Sequence, residues 1–174
     1  PGTGLFLLFI MLLLFTAWLL LLRSARPGWG IVIILVLIFA TPQLVLYQGT
    51  IWKDVLFANA GIAGFAVMAA AAARWRAPHA RFALLSLSAL LLSLAALARQ
   101  NGFVLLPIAA ICLGVIAARQ QSRREGWRYG LGMLAACLVV VGVSNFALGM
   151  RSDHGQGAAD QLRLAQTYDL VGSA

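Results

Sequence analysis

The chain has 174 residues, of which 62% are hydrophobic and only 10% charged, and its formal net charge is +8. Soluble domains carry roughly 45–50% apolar and about 25% charged residues, so this composition excludes both a cytosolic globule and intrinsic disorder. What remains is a polytopic helical membrane protein, and the basic charge has to be set against topology before nucleic acid is invoked.

The chain opens on Pro1 and turns apolar almost at once, with no basic n-region and no small-residue cleavage site, so it does not open on a signal peptide. It reads as a piece of a longer protein that starts just before a transmembrane helix. A helix needs about 20 apolar residues, with about 17 as a working minimum, to cross roughly 30 Å of hydrocarbon. The sequence predicts six such spans, in chain order 5–22, 30–47, 55–73, 82–98, 103–118 and 129–150. Residues 1–150 then form an all-α transmembrane bundle, and 151–174 a polar tail at the start of a further region. Backbone in lipid must satisfy its own hydrogen bonds, which makes helices the expected conformation throughout. Cys112 and Cys137 both fall inside apolar runs, where cysteine acts as a small packing residue. No CxxC and no Cys/His cluster supports a structural zinc site.

With six alternating spans, the breaks after the first, third and fifth share one side. They carry Arg23 and Arg26, then Arg74, Arg76 and Arg81, then Arg119, Arg123, Arg124 and Arg128, against Glu125 alone. The opposite side holds Lys53, Arg99, Arg151 and Arg163 with Asp54, Asp153, Asp160 and Asp169, and its charge cancels. The positive-inside rule therefore places the arginine-rich loops in the cytoplasm and both the N-terminus and the tail on the extracytoplasmic side. Topology accounts for the whole +8, and no nucleic-acid partner is called for; the partner is the lipid bilayer.

Aromatic residues agree with this segmentation. Trp29, Trp52, Trp75, Trp127, Tyr47 and Tyr129 fall at or near expected span ends, where amphipathic rings favour the headgroup level, and Trp18 is the exception. Gly61, Gly64 and the alanine run 69–73 in the third span would permit close helix approach, or serve only as helix formers.

Two tight polar groups stand on the side with no net charge. The first ends in Lys53-Asp54, where the third span begins: the helix N-terminus favours an ionised carboxylate there, though Asp54 could equally be a helix cap. Lys53 can pair, snorkel to a lipid phosphate or meet an anionic substrate. The second is Arg99-Gln100-Asn101-Gly102, between spans four and five. A guanidinium takes phosphate in a forked geometry, and the outer leaflet is where lipid-linked substrates present theirs; the plainer alternative is an interfacial arginine beside an Asn-Gly turn. Ser144 and Asn145 in the sixth span are expected to bond back to their helix or a neighbour, with a substrate role as the lesser alternative. Asp153 and His154 in the tail lack nearby metal partners, His79 reads as a solvated loop residue, and Walker, GxSxG and HExxH motifs are missing.

These groups carry a resemblance. Gly49-Thr50-Ile51-Trp52-Lys53-Asp54-Val55-Leu56-Phe57 resembles the stretch of GT-C-type membrane glycosyltransferases that places an acidic residue at the outer start of a helix. The run from Leu94 to Phe103 through Arg99-Gln100-Asn101-Gly102, with Leu105-Leu106-Pro107 after it, is similar to the downstream helix–basic residue–helix stretch of that family. Gln166-Thr167-Tyr168-Asp169-Leu170 looks like the entry to the outer soluble region of some bacterial members. The similarity runs from about Trp29 to Leu170, on short motifs set in generic apolar sequence. It implies a protein mannosyltransferase-like or aminoarabinose transferase-like enzyme of the bacterial inner membrane. Such an enzyme moves a sugar from a polyprenyl-phosphate donor to a lipid or glycan hydroxyl at the outer face. By the same resemblance Asp54 is a second carboxylate or the ligand of a divalent cation, and Arg99, Lys53 and Asn101 bind the donor. The family's principal acidic residue lies in a first outer loop, which would precede Pro1, so this chain alone is expected to be inactive. The competing readings are a transport or flippase-like subunit, which needs ionisable groups at mid-membrane depth, and a structural subunit in which Asp54 caps and Arg99 anchors.

Overall fold

The computed structural model describes residues 2–24, 33, 36–37 and 53–151. Among them five helices are long and apolar enough to cross a membrane. These are α1 (Gly2–Ser24), α2 (Lys53–Ala73), α3 (Pro78–Ala98), α4 (Leu105–Gln120) and α5 (Arg123–Arg151). A 3-10 turn, Gln100–Val104, joins α3 to α4. The span expected at 30–47 and the tail at 151–174 lie, but for Ile33, Val36, Leu37 and Arg151, outside the described residues. The chain divides into two units, Pro1–Val141 and Gly142–Ala174. The second is described only in the last part of α5, where Ser144 is half-buried and Asn145 exposed.

α3 and α5 begin a full turn or more earlier than hydropathy predicts, each for a local reason. α3 starts at Pro78, not at 82. Proline fits the first helical turn because its missing N–H would be unpaired there and its φ is already helical. His79 and Arg81, expected in a loop, are therefore helical, with His79 exposed. α5 starts at Arg123, not at 129, because Ser122 Oγ accepts the Glu125 backbone N–H at 3.3 Å, the serine half of an S-x-x-E capping pattern.

Side-chain bonds to backbone carbonyls fix the helix directions. Asn59 Nδ2 donates to the Ile10 carbonyl at 3.3 Å, and Ala17 packs with Ala63 and Ala66, so α1 and α2 run parallel. Ser88 Oγ donates to the Gly64 carbonyl at 2.8 Å across the antiparallel α2–α3 pair. Ser93 Oγ donates to the Cys137 carbonyl at 3.3 Å and Arg81 stacks near Tyr129, so α3 and α5 are parallel. Interhelical bonds of this kind in membrane proteins contribute about 0.6 kcal/mol each, enough to choose among packings that lipid leaves nearly equal. One end of the first unit thus gathers the C-terminus of α1 with the α2–α3 and α4–α5 turns. The other gathers the start of α2 with the α3–α4 turn.

Small residues set how near the helices come. A Cβ on Gly64 would lie 2.7 Å from Leu92 Cγ, so α2 and α3 need that glycine, whereas one on Gly61 would come no closer than 3.3 Å to Leu105 Cδ1. Between α4 and α5 the approach is backbone to backbone: a Cβ on Gly126 would meet the Gly114 carbonyl oxygen at 2.7 Å, and one on Gly130 the Ala110 oxygen at 2.8 Å. Gly126 and Gly130 form a GxxxG pair facing Ala110, Gly114 and Ala118 at the same spacing, a pattern split by the expected span boundary at 129. Met68, Leu92, Leu106, Leu113, Met133 and Cys137 fill the main core, and Trp18 packs partly into a smaller cluster beside α1. Leu5, Leu12, Ile111 and Val139 face outward, as lipid-facing side chains should.

At the arginine-rich end one of the span-end aromatics is packed inside the bundle. Trp75 is only 7% exposed and sits 5.1 Å from Tyr129, centroid to centroid. The Arg81 guanidinium lies 4.9 Å from Trp75 and 5.3 Å from Tyr129, and donates to the Trp75 carbonyl at 3.2 Å. Arg81 is thus a packing group that holds the α2–α3 turn, not a solvated loop charge.

Candidate functional site

The site forms where α2 begins and α3 ends. Asp54 sits in the first turn of α2, where free backbone N–H groups favour a negative charge. α3 ends at Ala98, and Arg99 takes an extended conformation (φ −147°, ψ 138°) that turns the chain off the helix axis. Both residues stand about equally far from the α2–α3 turn, and an antiparallel hairpin brings such positions level. Arg99 Nη1 meets Asp54 Oδ1 at 2.8 Å, with the two side chains 46% and 45% exposed. Such a pair at a half-exposed position contributes only about 0.2–1 kcal/mol to stability. Its groups are accessible from outside the bundle, and the guanidinium keeps further N–H donors beyond the one spent on Asp54.

Gly102 shapes this end. No described residue has a positive φ, so the Asn101-Gly102 step is not the left-handed turn that its sequence suggests. Gly102 is instead buried against α3: a Cβ there would lie 2.6 Å from the Ala95 carbonyl oxygen and 2.8 Å from Ala96 Cα. Its N–H bonds the Arg99 carbonyl at 2.8 Å, which closes the 3-10 turn right behind the ion pair. The Gly102→Ala variant is expected to lose about 1–3 kcal/mol, because both opposing atoms are backbone and the turn must lift away. Thermal unfolding of the purified protein in detergent, compared with the parent, measures it; an unchanged midpoint would show that the turn is not pressed against α3.

The other expected site residues join less closely. Lys53 is exposed at the head of α2 and makes no ion pair with Asp54. Asn101 is exposed on the 3-10 turn, two residues beyond Arg99. Among the described residues no three Asp, Glu, His or Cys side chains gather in a way that could hold a metal ion. A single carboxylate already bonded to a guanidinium does not fit a divalent cation, which wants several oxygen ligands. Among the described residues the buried polar side chains are Asn59, Ser88 and Ser93, all donors to backbone carbonyls, and no charged side chain is buried. The mid-membrane ionisable relay of a transporter is therefore lacking among the described residues.

No family model matches the chain, and neither the curated proteins nor the solved structures compared with it include a match.

Proposed function

We propose that this chain is part of a GT-C-type integral membrane glycosyltransferase, one that moves a sugar from a polyprenyl-phosphate donor to a lipid or glycan hydroxyl at the outer face of a bacterial inner membrane. The observation that carries the reading is the half-exposed Asp54–Arg99 pair at the end of the first unit opposite its arginine cluster. Sugar transfer breaks the bond between the anomeric carbon and a phosphate oxygen while the acceptor oxygen bonds to that carbon. The acceptor proton needs a carboxylate, and the departing lipid phosphate needs cationic donors. Arg99 supplies those donors from its unspent N–H groups, with exposed Lys53 as a second cation and Asn101 as a neutral donor. Asp54 holds the guanidinium in place and, by resemblance, acts as the second carboxylate. The parallel α1–α2 arrangement suits this topology, in which both helices start from the outer side.

The direct bond between Asp54 and Arg99 also favours a second reading, a purely structural clasp. Two variants of the intact protein separate them. Arg99→Ala is expected to lower turnover at limiting donor by about 10–100-fold, the loss of one charged hydrogen-bond group, while the acceptor KM stays put. The charge swap Asp54→Arg with Arg99→Asp rebuilds the clasp but puts the cation on the wrong helix, so transfer should stay lost. Parent-like turnover in the swap would leave the structural clasp as the role of the pair.

A further inference from the structure

Away from the ion pair, α4 and α5 come closest along a seam of small residues. Gly114, Gly126 and Gly130 bring the two backbones into contact, and larger neighbours on either side stand off as walls. The result is a groove of about 420 Å³ between Ile111 and Val115 of α4 and Trp127 and Leu131 of α5. Along α4 it runs from Pro107 to Ala118, a length of about 16 Å at 1.5 Å per residue. Half of a bilayer's hydrocarbon is about 15 Å, so the groove is one leaflet deep. A single hydrocarbon chain matches the groove in length and in the apolar character of its walls.

The mouth of the groove gives the chemistry of the headgroup. The lining is apolar but for Arg123, the first residue of α5 and exposed. Arg124 and Arg119 are exposed nearby in sequence, on the same α4–α5 turn. Glu125, the only acid at this end among the described residues, is bonded by Arg128 at 2.9 Å and does not offset the rest. Trp127, 74% exposed one turn into α5, is an amphipathic ring at the depth where indoles favour the headgroup boundary.

We propose that the α4–α5 groove is a binding site for an anionic phospholipid of the leaflet on the arginine-rich side. Its acyl chain lies along Ile111, Val115 and Leu131, and its phosphate meets Arg123 beside Trp127. This assignment does not depend on the glycosyltransferase reading.

The test is quenching of tryptophan emission by brominated lipids in vesicles holding the intact protein, with the Trp127 share taken as the difference from a Trp127→Phe variant. Dibrominated phosphatidylglycerol and dibrominated phosphatidylcholine are compared at equal mole fraction in an otherwise unbrominated phosphatidylcholine bilayer. The anionic lipid is expected to quench Trp127 about fivefold more effectively, the preference one interfacial arginine confers. Arg123→Gln should bring the ratio near unity, Arg123→Lys should keep it, and Arg76→Gln, at the same end but off the groove, should leave it unchanged. Equal quenching by the two lipids would overturn the proposal, as would an equal drop in the Arg76→Gln variant, which would mean diffuse attraction to the whole basic end. Absence of quenching by either lipid would show that protein covers the groove, and would overturn it too.

Discussion

Replacing Asp54 by asparagine is expected to lower sugar transfer by the intact protein on the order of 100-fold or more, the usual scale for losing a carboxylate that handles charge or protons at a reacting centre. The bundle should survive the change. Asparagine has the same shape and can still accept a bond from Arg99, and the ion pair it replaces is nearly half exposed on both sides. Pairs so placed contribute about 0.2–1 kcal/mol, a small part of what holds five helices together. The separation between the two effects therefore decides the matter. Turnover from a polyprenyl-phosphate donor, measured beside the thermal midpoint of the same preparation, should collapse while the midpoint moves little. Full turnover in Asp54→Asn would remove the carboxylate from the chemistry, and a parallel fall of both would make it a clasp.

That Asp54 and Arg99 meet was within reach of the sequence. They stand at matching distances on either side of the arginine-rich turn at 74–77, and two spans joined by a turn that short must run antiparallel. The ends of the bundle were legible for a related reason: lipid excludes charge, so Arg23, Arg74, Arg76, Arg119, Arg123, Arg124 and Arg128 mark one end without any knowledge of packing. Hydropathy misplaced the starts of α3 and α5 because it sees neither proline's fit to a first turn nor the Ser122 cap. It also read 119–128 as one polar break, which concealed that Gly126 belongs to the same helix face as Gly130. At Gly102 the turn is legible in Asn-Gly and is found at Gln100–Val104, whereas the close contact with Ala95 and Ala96 is supplied only by the folded hairpin. The stack of Trp75 and Arg81 with Tyr129 joins the α2–α3 turn to a helix some fifty residues away, and no local pattern announces it. The chemistry is less legible than the fold. The resemblance rests on short motifs, and 49–52 of the first lie outside the described residues.

The largest loss of stability is expected from Gly126→Leu. Lipid tails are as apolar as leucine, so helices in a membrane gain little by merely hiding hydrophobic surface and hold together through close van der Waals contact. At Gly126 that contact is with atoms that cannot swing aside: the Gly114 carbonyl oxygen lies 2.7 Å from where a Cβ would be, and Ala118 Cβ 2.8 Å. A leucine there must push α4 and α5 apart along their whole small-residue seam, at a cost of about 3 kcal/mol or more, the upper range for overpacking. Gly132 provides the matched control on the same helix, since nothing lies within 4 Å of its Cβ position. Leucine forms helix better than glycine by roughly 0.5–1 kcal/mol, so Gly132→Leu should be neutral or slightly stabilising. Thermal midpoints of the two variants in one detergent would therefore move in opposite directions or differ by many degrees. Equal midpoints would mean that the α4–α5 seam is not the close contact described. The same shift would also widen the groove beneath Arg123, so Gly126→Leu should weaken the preference for anionic lipid without touching any residue that meets the headgroup.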